Sequence, residues 1–360
     1  MVVHDTVLEV CCKKLESNFR FLKSKAGSKT KIIAVVKAYA YGHGDVMIAK
    51  ELAEKVYAFW VADFEEGISL RNSGIKNKII VANPGSNSIN KIISKKLDVV
   101  IHNFFLLKIF CDLKKNINVH IKLNTGMNRY GFKSNELPEL VAQIKKNKHL
   151  KILTICSHLS ASQEKKEDIF TKNQIKKFDE LSSNFIELYG KKIDRHILNT
   201  SGLLRFTPNK YEAVRIGIGL YGGIKNKHLD QIATLKSKVV QTISVKKGGS
   251  VGYNRLLKVK KNMKIAIIPF GYADGLSRKY GNQNIKFIIG DQFFPVVGEI
   301  SMDSCALDIT NTNISIGDTV ILFGPKNTIV DLAKNMNTIP HEIYATLNRR
   351  IKRIYTGSLD

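Results

Sequence analysis

Cysteine is scarce and irregularly placed in this chain. Cys11, Cys12, Cys111, Cys156 and Cys305 include no C-x-x-C pair, which excludes a disulfide framework and a cysteine zinc site, and no metal is expected. A reducing compartment is the natural setting. Long apolar runs are missing too. No stretch approaches the roughly 18 apolar residues of a transmembrane helix. The N-terminus carries Asp5 and Glu9 and has no basic segment ahead of an apolar one. No signal peptide is expected, and the protein is assigned to the cytoplasm. No G-x-G-x-x-G opens a helix after the first strand, which argues against a doubly wound dinucleotide fold. Acidic residues are in short supply: 31 Asp and Glu face 57 Lys and Arg, a net charge of +26. Such an excess can serve nucleic acid or a membrane surface. Here, however, the lysines are scattered as pairs such as Lys13-Lys14, Lys114-Lys115 and Lys260-Lys261. No segment gathers them with interleaved aromatics. Solvated helix faces and loops account for them, and neither nucleic acid nor membrane is expected as a partner.

What is present is a chain of 360 residues with 44% hydrophobic and 24% charged residues, ordinary for a soluble protein of about two domains. β-branched apolar runs recur near 32–36, 58–62, 78–82, 98–102, 119–123, 152–157, 196–199 and 212–217. Amphipathic stretches at 45–55, 65–71, 136–146 and 168–189 lie between them. Strand alternating with helix predicts parallel βαβ units. Eight such strands in about 200 residues match a (β/α)8 barrel. After about Asn226 the pattern changes to short strands at 237–245, 264–269, 285–289, 293–297, 305–309 and 319–323. Turns such as Lys247-Gly248-Gly249 join them, and short helices lie at 329–336 and 341–350. The expected fold is α/β: an N-terminal (β/α)8 barrel at 1–226 and a mainly antiparallel β domain at 227–360, with the first ten or so residues able to pair with the β domain. No internal repeat or low-complexity linker separates the halves.

Lys37 ends the first of these runs. Ala34-Val35-Val36-Lys37-Ala38-Tyr39-Ala40-Tyr41-Gly42-His43-Gly44 delivers an amine to a glycine-bracketed turn at a sheet end, where α/β enzymes place their chemistry. A lysine among apolar neighbours can lose its proton and act as a Schiff-base nucleophile. A lone strand-end lysine more often just reaches for water. The segment resembles the pyridoxal phosphate attachment motif of alanine racemases, roughly A-V-x-K-A-(N or D)-A-Y-G-H-G. Tyr39 departs from it, standing where the family has Asn or Asp.

Pyridoxal phosphate chemistry requires an amine, a phosphate cup, a partner for the ring nitrogen and proton carriers at the substrate Cα. Phosphate cups are built from backbone N–H groups and hydroxyls at loops and helix starts. Asn199-Thr200-Ser201-Gly202 and Arg215-Ile216-Gly217-Ile218-Gly219-Leu220-Tyr221-Gly222 follow strands seven and eight, where barrels commonly bind phosphate. Taken alone they are equally well two ordinary turns. Both resemble the racemase family, whose second segment reads V-R-x-G-I-x-x-Y-G. The resemblance assigns cofactor contacts to Tyr41, Asn199, Thr200 (a Ser in many relatives), Gly217 and Ile218, and places His158 against the ring. It makes Arg215 the partner of the ring nitrogen. Arginine can only donate a hydrogen bond, so that nitrogen stays unprotonated and side reactions such as transamination are suppressed.

Racemisation also requires proton carriers on both faces of a planar carbon. By the resemblance, Lys37 serves one face. Val251-Gly252-Tyr253-Asn254 is similar to the family segment V-S-Y-G, which makes Tyr253 the acid/base on the other. A free tyrosine has a pKa of ~10, so it needs nearby cations and hydrogen bonds; the resemblance puts His196 and Arg215 in that network. Lys122-Leu123-Asn124-Thr125-Gly126-Met127-Asn128-Arg129 resembles K-x-(D or N)-T-G-M-x-R. There the lysine is often carbamylated and orients the arginine that binds the substrate carboxylate. Gly271-Tyr272-Ala273-Asp274-Gly275 resembles G-Y-A-D-G, whose tyrosine lines the entrance. Gly298-Glu299-Ile300-Ser301-Met302-Asp303 resembles G-x-(I or V)-x-M-D, where Met302 offers backbone to the substrate carboxylate.

The similarity runs from about residue 30 to 353 with every segment in family order. It departs again at His341-Glu342, where the family has Tyr-Glu; His341 is expected to take over the phosphate contact through its ring N–H. The resemblance implies a pyridoxal phosphate-dependent isomerase interconverting L- and D-alanine and supplying D-alanine for peptidoglycan. It further implies a homodimer in which Tyr253 and Met302 reach the second subunit's site. A racemase of other amino acids on the same scaffold is the near alternative. A decarboxylase of related architecture would need a carboxylate in place of Arg215, and a single-barrel cofactor carrier would lack the domain that holds Tyr253.

Overall fold

The computed structural model describes residues 4–206, 210–282 and 285–357. The strand β1 (Val7–Cys11) comes first, followed by eight parallel strands: β2 (Lys31–Val35), β3 (Ala58–Val61), β4 (Lys78–Val81), β5 (Asp98–Ile101), β6 (Ile117–Lys122), β7 (Leu150–Cys156), β8 (Asp194–His196) and β9 (Ala213–Ile216). They hydrogen-bond in the order β8-β7-β6-β5-β4-β3-β2-β9. The remaining seam, between β8 and β9, is bridged where the Arg215 N–H donates to Leu198 O at 3.1 Å. The result is a nearly closed barrel with its helices outside. All four residues of β3 and of β5 are buried. That is the signature of parallel strands covered on both faces, and it is why these runs, apart from Asp98 at the start of β5, are apolar instead of alternating.

Local chemistry sets the helix ends. Asp63 accepts from the N–H groups of Glu65 and Glu66 at 2.9 and 3.0 Å and starts the helix Phe64–Asn72. Asn103 caps Phe104–Asp112, and Asn199 caps Thr200–Arg205. Their side-chain oxygens satisfy N–H groups that have no intrahelical partner. The long helix Asp168–Tyr189 buries Ile175, Phe178, Leu181 and Phe185 along one stripe and stops at Gly190, where φ is 79°.

The second half holds β10 (Ala233–Lys238), β11 (Gln241–Val245), β12 (Ser250–Val251), β13 (Leu257–Lys258), β14 (Met263–Ile268), β15 (Lys286–Ile289), β16 (Gln292–Val297), β17 (Cys305–Asp308), β18 (Thr319–Phe323) and β19 (Lys352–Thr356). A nine-stranded sheet runs β11-β14-β17-β16-β15-β18-β10-β1-β19. Every pairing in it is antiparallel except β1 with β19. The compact units divide accordingly. One comprises the chain through Asn18, Tyr41–Gly44 and everything from Tyr221 onward; the other comprises Phe19–Ala40 and Asp45–Leu220.

Two local expectations need correction, and one element went unread. The single strand expected over 237–245 is two strands. Val239 pairs its backbone with Gly317 and Asp318, while Val240 donates to Ile267, so the chain changes partner within two residues. The helix expected over 341–350 is Pro340–Thr346. The helix Cys12–Ala26 was not read from the sequence. The helix is lysine-rich, with no acidic residue in its first turn, and its apolar stripe of Leu15, Phe19 and Leu22 is thin.

Candidate active site

The barrel unit gathers ten of the expected site residues at the C-terminal ends of its strands. Lys37 follows β2, Lys122 ends β6, Arg129 lies in the loop beyond it, and His158 follows β7. His196 ends β8, Asn199 and Thr200 start the next helix, Arg215 lies in β9, and Gly217 and Ile218 follow it. Lys37 is open to solvent at this rim. The surrounding protein still removes enough water from its amine to lower the pKa, and Arg129 and then Arg215 push it further down against the opposing pull of Glu66. Lys122 is lowered to about 8, first by desolvation. A single cleft is lined by Lys122, Thr125, Arg129, Tyr130, Ser157 and His158.

Arg215 is the best-held of these groups. It is 4% exposed. One terminal nitrogen donates to His196 Nδ1. The other donates to Ser157 O and, at 3.1 Å, to His158 Nδ1. Its guanidinium carbon lies 5.1 Å from the centre of the Trp60 ring. Since a guanidinium cannot accept, both imidazoles must present a lone pair to it and are therefore neutral. In keeping with this, burial and the Arg215 charge hold both imidazoles well below the usual histidine range.

The cup after β9 has a similarly definite geometry. Thr200 Oγ1 accepts from the Gly217 N–H at 3.2 Å and the Gly219 N–H at 3.4 Å. A Cβ on Gly219 would sit 2.4 Å from Thr200 Cγ2, so the loop and the helix start approach as closely as a glycine permits. Four cationic side chains (Lys37, Lys122, Arg129 and Arg215) act on one another at the rim, with the Glu66 carboxylate opposing them at Lys37. An amine, an anion-favouring rim and a hydroxyl-backed glycine loop fit a phosphorylated pyridoxal group.

Three features of this site were not read from the sequence. The turn after Lys37 is a left-handed helical stretch: Ala38, Tyr39, Ala40 and Tyr41 have φ of 52°, 57°, 51° and 52°. Each such residue costs ~1–2 kcal/mol, least for Asn and Asp. That explains the family preference for Asn or Asp where this chain has Tyr39, and it was the available signal. Glu66 secures the turn: one carboxylate oxygen accepts from the Ala38 N–H and the other from the Ala62 N–H, both at 2.6 Å. Trp60, the sole tryptophan, packs edge-on to His196 at 6.0 Å. Nothing local in the sequence marked either residue.

The other unit carries the remaining expected residues. Tyr41 is buried, with its ring 4.9 Å from Tyr221 and 5.7 Å from His341. Gly42 and Gly44 both have positive φ. A Cβ on the first would meet Tyr344 O at 2.1 Å, and one on the second would meet the Tyr355 hydroxyl at 1.8 Å, which is the physical need for the glycine bracket. Tyr253 stands 66% exposed, Met302 53% and Tyr272 41%. Their loops adjoin: the Tyr272 N–H donates to Ser301 O, the Ala273 N–H donates to Met302 O, and Asn254 Nδ2 reaches Glu299. Asp303 pairs with Arg350 at 2.7 Å, and Arg350 also holds Asp274 at 2.6 Å.

Comparison with known proteins decides the family. Residues 10–225 match the family model described as alanine racemase, N-terminal domain, and 232–355 match alanine racemase, C-terminal domain. The chain belongs to the alanine racemase family. Among its relatives, alanine racemase 2 of Caldanaerobacter subterraneus subsp. tengcongensis is 32% identical, covering 98% of this chain and 95% of the relative. The solved alanine racemase of Clostridium difficile 630 is 29% identical with a TM-score of 0.90, over 99% of this chain and 97% of that one. The alanine racemase of Bartonella henselae, solved with covalently bound pyridoxal phosphate, is 27% identical with a TM-score of 0.89, over 98% and 99% of the two chains. As a family member the chain is an amino-acid isomerase on the barrel-plus-β-domain scaffold. Among the described residues, no helix is long and apolar enough to cross a membrane.

Proposed function

We propose that this protein interconverts L- and D-alanine with pyridoxal phosphate bound through Lys37. The observation that carries the reading is the Arg215 cluster: a buried guanidinium fixed by two neutral histidines beside a lysine of lowered pKa. When bound, the cofactor supplies an electron-withdrawing ring that makes the substrate Cα–H acidic. Arg215 donates to the ring nitrogen without protonating it, which limits that withdrawal and favours simple proton return. Tyr41, Thr200, Gly217, Ile218 and His341 hold the phosphate, with Asn199 fixing the helix start and His158 against the ring. Arg129, oriented by Lys122, and the Met302 backbone take the substrate carboxylate.

The Lys37 amine, its pKa lowered by desolvation and by Arg129, moves the proton on one face of Cα, and the Tyr253 hydroxyl moves it on the other, supported by His196 and Arg215. Tyr272 lines the entrance, and Asp303 anchors Arg350 beside Met302. Tyr253 and Met302 serve the second subunit of a homodimer, a reading supported by their exposure. The five free cysteines suit a reducing cytoplasm.

The test is circular-dichroism measurement of racemisation over alanine, serine, lysine and arginine. Alanine should be turned over fastest, and Lys37→Ala should abolish turnover. Faster turnover of a basic amino acid would replace alanine as the substrate, and no racemisation of any of the four would overturn the reading.

A further inference from the structure

TIM-type barrels fill their interior with layers of branched aliphatic side chains. This barrel instead carries a continuous polar column on adjacent strands. Asp98 starts β5, His120 lies in β6, Thr154 in β7 and His196 in β8, and the column ends on Arg215 in β9. His120 and Thr154 are register partners. Their exposures are 4%, 0%, 1%, 0% and 4% in that order. A buried polar set like this is no more stable than well-packed aliphatics of the same volume, so its retention calls for a role beyond packing.

The direction of each hydrogen bond follows from its neighbour. Arg215 donates to His196 Nδ1, which leaves the imidazole proton on Nε2. That Nε2 lies 3.0 Å from Thr154 Oγ1 and so donates to it. The threonine has one proton, and its other close partner is His120 Nδ1 at 2.7 Å. His120 therefore carries its own proton on Nε2. That nitrogen faces Asp98 Oδ2 at 3.6 Å, an electrostatic approach longer than a hydrogen bond, and neither atom has a hydrogen-bond partner. The far Asp98 oxygen accepts from Asn118 Nδ2 at 2.9 Å. The column thus has a single polarity, from the guanidinium to a buried carboxylate.

We propose that Asp98, His120 and Thr154 are positioning residues: a one-way relay through the barrel interior that fixes His196 as its neutral Nε2–H tautomer and so holds Arg215 aimed at the cofactor ring nitrogen. The relay's geometry stands by itself; its service to the ring nitrogen rests on the function proposed above. A donor relayed toward a carboxylate orients an imidazole and raises the basicity of its other nitrogen, here the one that grips Arg215. Without the threonine hydroxyl, the buried His196 Nε2–H loses its acceptor. Loss of one such partner corresponds to roughly tenfold.

Ring-nitrogen NMR of the 15N-histidine-labelled holoenzyme tests this directly. His196 and His120 should each show a proton-free Nδ1 and a protonated Nε2. Thr154→Val, which keeps the side-chain shape, should lose the single His196 tautomer, shift the absorbance of the bound chromophore and lower kcat about tenfold with little change in KM. Thr154→Ser should restore all three. A wild-type His196 or His120 protonated on Nδ1 overturns the relay, as does a folded Thr154→Val protein with unchanged tautomer, spectrum and kcat. The wild-type spectrum decides even if the valine variant fails to fold. Both expected tautomers in a preparation that racemises nothing would uphold the relay and remove the function it serves. Fast racemisation with His196 protonated on Nδ1 would do the reverse.

Discussion

Gly219→Ala is the most informative single change at the phosphate cup. The new Cβ would lie 2.4 Å from Thr200 Cγ2, 3.2 Å from Leu22 Cδ1 and 3.4 Å from Thr200 Oγ1. The φ of Gly219 is not in the left-handed region, so the effect is steric. Relief requires Thr200 to withdraw by about 1 Å, and crowding of this kind costs ~1–3 kcal/mol. The withdrawal also weakens the hydrogen bonds that Thr200 Oγ1 accepts from the Gly217 and Gly219 N–H groups, each worth ~1 kcal/mol. About 1–2 kcal/mol of this should appear in cofactor binding, a roughly 5- to 30-fold rise in Kd on titrating apoprotein with pyridoxal phosphate. The clash falls on the threonine methyl and spares the hydroxyl, so adding Thr200→Ser removes the clashing atom and keeps the acceptor. The double variant should recover to within about threefold of wild type, while Thr200→Ser alone should change little. If Gly219→Ala binds the cofactor as tightly as wild type, or if the added serine restores nothing, the account of this cup is wrong.

Gly42→Ala forces a Cβ to 2.1 Å from a backbone carbonyl at a φ of 76°, so unfolding in urea should show a loss of more than ~3 kcal/mol. Lys122, lowered to about 8 from an ordinary 10.5, binds its proton more weakly folded than unfolded. Stability should therefore rise with pH between those values, and the rise should shrink in Lys122→Met, as followed by denaturation midpoints. At pH 8 about half of Lys122 is neutral, so 13C-bicarbonate should give a carbamate NMR signal that the same substitution removes. Subunit exchange between Lys37→Ala and Tyr253→Phe proteins should regenerate part of the wild-type racemisation rate. Proven heterodimers without activity would count against a shared site.

Local pattern was enough for the barrel strands. β3 is apolar throughout, and β4 and β5 are apolar after their first residues, Lys78 and Asp98; both faces of a parallel strand are covered, and that survives as composition alone. The amine, the cup glycines and Arg215 were legible because each sits in a short contiguous motif. The division of 237–245 into two strands was not, because the break depends on Gly317, Asp318 and Ile267, far away along the chain.

By itself the sequence determined the class of chemistry. A strand-end lysine, a hydroxyl-bearing helix start and an arginine before a glycine loop are ambiguous one by one, and it is their contiguous motifs, resembling one family in order along the chain, that carry the chemistry. Tertiary structure decided how those groups are held. The left-handed turn after Lys37 is held by Glu66, which accepts from the Ala38 N–H, and the grip on Arg215 depends on His158, His196 and Trp60 arriving on or just after three other strands. The column down to Asp98 appears only when five strands close side by side, because hydrogen-bond direction passes between residues that share no local pattern.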